Sequence, residues 1–224
     1  MALNRTSHGA PIPGAAATSL WLLIFAVVLV WSGIAPFDRY TWLLEVLPAL
    51  IVLPVLLITA RRFPLTALVY WLILLHALIL MVGGHYTYAR VPAFDWLREV
   101  FGWSRNHYDR VGHLAQGFIP AMVVREVLLR TSPLRPGRWL FTLTFACCMA
   151  VSALYELLEW LVALRSGEAA DSFLGTQGYV WDTQMDMFLC LIGSLSSLLL
   201  LARLQDHQLI PIQQRIKTER TAAR

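Results

Sequence analysis

The chain has 224 residues, of which 58% are hydrophobic and only 14% charged, with a mean hydropathy of +0.60. That leaves too little polar surface to cover a soluble globule and far too much apolar content for a disordered chain. Three cysteines are too few, and odd in number, for a disulfide scaffold, and the formal charge of +4 comes from arginines and Lys217 lying between and after apolar runs, which argues against a nucleic-acid partner. The composition is that of an integral membrane protein.

In chain order, six stretches are apolar enough to cross about 30 Å of hydrocarbon: 18–35, 42–60, 65–82, 109–129, 138–164 and 182–203. The first follows a long tail with only Arg5 and lacks the features of a cleaved signal, so it is expected to remain as a helix. Pro48 and Pro54 are expected to kink the second. Gly112 and Gly117 in the fourth, and Gly193 in the sixth, invite close helix contact. Cys147, Cys148 and Cys190 lie in apolar runs, where cysteine behaves as a small hydrophobe.

The fold expected is all-α, a polytopic membrane helix bundle of six transmembrane helices with both termini cytoplasmic. Residues 1–17 form a cytoplasmic N-terminal tail, 18–203 the six-helix transmembrane domain, and 204–224 a basic cytoplasmic C-terminal tail. This orientation places 12 of the 18 basic residues inside and 6 outside. The outer loop 83–108 contains a short amphipathic helix at 91–102. There Phe94, Trp96, Leu97 and Phe101, with Trp103 just beyond, suit the membrane interface, while Asp95, Arg98 and Glu99 suit water. A second outer connection, 165–181, has no periodicity of its own.

Ionisable residues collect at the outer helix ends. His85 ends the third span; His107, Asp109 and His113 open the fourth; Glu156 and Glu159 lie near the end of the fifth; Asp182 and Asp186 open the sixth. Asp109/His113 and Asp182/Asp186 are i, i+4 pairs and Glu156/Glu159 an i, i+3 pair, so each pair shares a helix face. Glu156 lies about 13 Å in from its loop, where a carboxylate must be paired, protonated or in a wet cavity. Helix capping accounts for Asp109 and Asp182 but not for His113, Glu156 or Glu159. His76, alone in mid-helix, reads as a hydrogen-bonded core histidine, and Asp38 and Glu45 as interfacial charges.

Histidines with carboxylates are ligands for zinc and harder divalent ions. His85, His107, Asp109, His113, Asp182 and Asp186 are therefore candidate ligands for a divalent metal, zinc or manganese. Glu156 and Glu159 are the candidate catalytic bases. Tyr86, Tyr88 and Gln184, beside these ligands in the chain, are candidate substrate contacts. No HExxH, GxSxG or Walker motif is present.

The segments GGHYTYARVP, NHYDRVGH, YELLEW and DTQxDM, with Met185 where tryptophan is expected, resemble the bacterial inner-membrane YjdF family. The resemblance extends from the first span to about Leu201 and implies a multi-pass inner-membrane protein, without implying an activity. A looser similarity joins the Asp109/His113, Glu156/Glu159 and Asp182/Gly193 pattern to VanZ-like membrane proteins, which implies a connection with cell-envelope lipids. Three functions are thus in view. One is a metal-dependent hydrolase or transferase acting on envelope lipid headgroups. Another is a proton- or ion-coupled small-solute transporter. The third is a non-catalytic protein whose polar cluster binds a lipid headgroup, a small molecule or a partner.

Overall fold

A computed structural model describes residues 12–166 and 177–222. The described chain forms seven α-helices, one 3₁₀ turn and no strand. The helices are α1 (Ala15–Gly33), α2 (Arg39–Thr59), α3 (Ala67–Tyr86), α4 (Pro92–Phe101), α5 (Tyr108–Thr131), α6 (Arg138–Ser166) and α7 (Asp182–Ala222). Five of them, α1, α2, α3, α6 and α7, are long and apolar enough to cross a membrane. The fourth predicted span forms α5, a 24-residue helix too polar to qualify by composition. The 1–17 tail and the 165–181 connection fall largely outside the described residues.

Local chemistry sets the boundaries. Asp38 caps α2, its carboxylate accepting the Thr41 amide at 2.6 Å, and Thr66 caps α3. The amphipathic segment forms α4, which begins with Pro92 at its first position and stops at Gly102 in the left-handed conformation, φ 64°. Trp96 and Phe101 project from it, Phe94 packs edge-on against Tyr108, and Asp95 pairs with Arg98 at 3.4 Å.

α5 is the hub. It shares its most extensive interface with α7 and packs also on α3 and α6, while α3 carries α1 and α2. Gly117 faces the Cys190 carbonyl and Gly193 faces the Leu114 carbonyl so closely that a Cβ at either would overlap backbone. Gly112 serves differently, because the Tyr88 ring occupies the space where its side chain would be.

The helix of the sixth predicted span, α7, continues beyond 203 to Ala222. Gln205, Leu209 and Ile212, spaced 4 and 3 apart, form a buried face that continues the bundle. Arg125 of α5 reaches across to the buried Gln205 at 2.9 Å and to the half-buried Asp206 at 2.7 Å, so polar residues that looked like the start of a tail are paired with the bundle.

Candidate functional site

The glycine crossing brings the first turns of α5 and α7 side by side, and this assembles the polar cluster. His113 is its centre. Its Nε2 lies 3.3 Å from an Asp109 oxygen and 3.8 Å from an Asp186 oxygen. On the other edge, Nδ1 lies 3.1 Å from Gln116 Oε1 and 3.9 Å from Glu156 Oε1. Asp109, His113 and Asp186 are all buried, and one ligand atom from each falls within 4.8 Å of the others. Asp109 Oδ2, Glu156 Oε1 and Asp186 Oδ1 are buried oxygens without a hydrogen-bond partner. Buried carboxylates left this way are costly, so the arrangement suits a cation.

A cavity of about 280 Å³ opens beside His113, between α2, α3, α5 and α6. Asp109, Glu159, Tyr155, Tyr88 and Glu45 are among its lining residues, and His76 reaches it from α3. Glu45 is only 4% exposed and accepts a hydrogen bond from the Tyr155 hydroxyl at 3.3 Å, so it belongs to the cavity wall rather than the membrane interface. Sequence reasoning missed it because nothing in the second span marks which face of the helix turns inward. Arg105 was missed as well. It is buried, with Nη1 donating to Asp182 at 2.6 Å and Nη2 lying 3.8 Å from Asp109.

The remaining candidates are dispersed. His85 turns toward α1, with Nδ1 3.0 Å from the Ser32 carbonyl and its ring against Trp31 and Tyr86. The structure therefore brings neither His85 nor Tyr86 into the His113 group. His107 packs on Trp103, and burial together with Arg110 and Arg105 holds its imidazole below the usual histidine pKa. Asp182 engages Arg105 rather than His113, and Gln184 is exposed. Tyr88 lines the cavity, wedged between Gly83 and Gly112; the preceding Thr87 takes φ 58°, a turn rarely seen for a β-branched residue.

A second polar cluster lies at the opposite end of the bundle. Glu126, fully buried, accepts hydrogen bonds from the Thr66 amide at 3.0 Å, the Thr66 hydroxyl at 2.7 Å and Arg130 at 2.9 Å. Arg130 also donates to the Pro64 carbonyl and lies over the Phe63 ring. Apart from Arg130 Nε, which has no hydrogen-bond partner among the described residues, these groups pair with one another, and they fasten α5 to the start of α3.

Comparison with known proteins agrees with the membrane fold. The family described as "Predicted membrane protein (DUF2238)" matches residues 17–207. The chain is 51% identical over 187 residues to "Inner membrane protein YjdF" of Escherichia coli (strain K12), an alignment covering 84% of this chain and 90% of that protein. No solved structure matches. The VanZ-like similarity rests on the spacing pattern alone.

Proposed function

We infer, for a chain that belongs to the DUF2238 family of predicted membrane proteins, that the cluster around His113 holds a divalent cation and performs metal-dependent chemistry on envelope lipid headgroups. The protein is an inner-membrane protein of several apolar helices. In this reading α5 also crosses the membrane, which brings the spans to six, both termini are cytoplasmic and the His113 cavity opens outward. The 24 residues of α5 are long enough to cross, at about 1.5 Å each. Asp109, Arg125, Glu126 and Arg130 are all turned inward to partners on the same or neighbouring helices, as charges within a spanning helix must be.

The observation that carries the proposal is the Asp109–His113–Asp186 group. It offers one nitrogen and two carboxylate oxygens within 4.8 Å of one another, close enough that small side-chain rotations would let all three reach one zinc ion at roughly 2.0–2.2 Å. In this reading Nδ1 donates its proton to Gln116 Oε1, 3.1 Å away, which would leave the Nε2 lone pair toward the two aspartates. A bound zinc or manganese ion would supply an activated water at neutral pH. Glu156, 3.9 Å from His113 Nδ1, and Glu159, on the cavity wall, would be the candidate bases for that water. Against transport, the acidic residues around His113 gather at one end of the bundle, whereas transporter sites lie near the midplane.

Binding to the folded state alone raises stability. Chelation should therefore lower the melting temperature in detergent, and zinc or manganese should restore it. His113→Ala and Asp186→Asn should abolish that response. A wild-type melting curve indifferent to chelator and metal would overturn the proposal.

A further inference from the structure

The His113 cavity has a neighbour on the membrane side. Between α2 and α6 runs an apolar groove of about 540 Å³ with Leu47, Ile51, Val55 and Leu158 in its walls. Pro48, Tyr155 and Glu159 line both this groove and the His113 cavity, so a single layer of side chains separates a hydrocarbon-facing trough from a polar chamber. α2 packs on α3, and α6 packs on α5 and α7. The Tyr155–Glu45 hydrogen bond, 3.3 Å long, is a tie across the gap between α2 and α6.

We propose that α2 and α6 frame a lateral doorway through which a membrane phospholipid serves the His113 site, one acyl chain resting in the groove while the phosphate headgroup enters the cavity. The dimensions agree. The groove follows α2 from Leu44 to Val55, a rise of about 16 Å, which is half of the roughly 30 Å hydrocarbon core and so the depth of one leaflet. Glu159 and Tyr155 stand where the chain meets the headgroup, the level at which a lipid changes from apolar to polar. The groove adds little affinity, because a chain in the bilayer is already in apolar surroundings. Selection falls to the headgroup, and the groove keeps the chain in hydrocarbon while that headgroup is held. Capture of the phosphate rests on the cation reading above; the path between α2 and α6 does not.

The test uses phosphatidylglycerol carrying a diazirine in one acyl chain, with the full-length protein in nanodiscs. Crosslinks should concentrate on α2 from 44 to 55 and on α6 from 154 to 162, several-fold above those at Leu199 and Leu200, which are exposed on α7. Ile51→Cys, alkylated with a bulky maleimide after folding in a background lacking the native cysteines, should reduce the groove signal to the α7 level. Leu200→Cys alkylated in the same way should leave it unchanged. Diacylglycerol with the same diazirine should label the groove several-fold less. Equal labelling of groove and α7 would overturn the doorway, and equal labelling by the two lipids would overturn capture through the phosphate headgroup. Metal content measured on the same samples separates the two readings, since groove labelling in metal-free protein supports the doorway while sinking the cation.

Discussion

Replacing Glu126 with alanine takes one acceptor away from four donors, the Thr66 amide and hydroxyl, Arg130 and, at 3.5 Å, Gln205. The carboxylate is fully buried, and its partner Arg130 has a side chain only 4% exposed. Removing one member of such a pair strands the other, at a cost of about 3–5 kcal/mol. For a chain of this length that corresponds to a fall of roughly 6–20 °C in melting temperature, at about 2–4 °C per kcal/mol. Arg130 keeps its 2.6 Å bond to the Pro64 carbonyl, which favours the lower half of that range. The double variant Glu126→Leu, Arg130→Met should regain much of the loss, because neither charge is then left buried and unpaired. Denaturation in mixed micelles measures both. A loss below about 1 kcal/mol for Glu126→Ala, the value of a solvated surface pair, would refute the fastening role. So would a double variant no more stable than the single one.

The glycine crossing and the orientation are open to equally direct tests. Gly193→Val should destabilise by about 1–3 kcal/mol, since its side chain would meet the Leu114 backbone, and should weaken metal retention by parting Asp186 from His113. Normal melting and normal metal retention would contradict that. Single cysteines at Arg61 or Arg62 should be shielded from a membrane-impermeant reagent in intact cells while one at Ala93 is labelled. The reverse pattern would invert the topology and place the His113 cavity on the cytoplasmic side.

Much of the helical layout was legible because hydropathy and helix length are local properties. The i, i+4 pairs Asp109/His113 and Asp182/Asp186 put chemistry on definite faces, and Gly117 and Gly193 indicated where helices could approach. What could not be read was which faces meet. Glu45 looked interfacial because a helix apolar nearly all round carries almost no angular signal. Arg105 and Asp182 are 77 residues apart, and only the tertiary fold joins them. His85 shared its residue type and helix end with the cluster, yet its ring faces α1. The continuation of α7 past its apolar span was hidden for a related reason. Arg203, Asp206 and His207 resemble a polar tail until Arg125 is seen to engage Gln205 and Asp206, with Leu209 and Ile212 buried beyond.

The central claim is that Asp109, His113 and Asp186 together hold a divalent cation, and metal content tests it most directly. Protein purified without chelator should carry stoichiometric zinc or manganese by inductively coupled plasma mass spectrometry. His113→Ala and Asp186→Asn should each fold, as judged by circular dichroism, and be stripped of that metal. Wild-type protein without bound metal, or variants that retain the wild-type amount, would contradict the account.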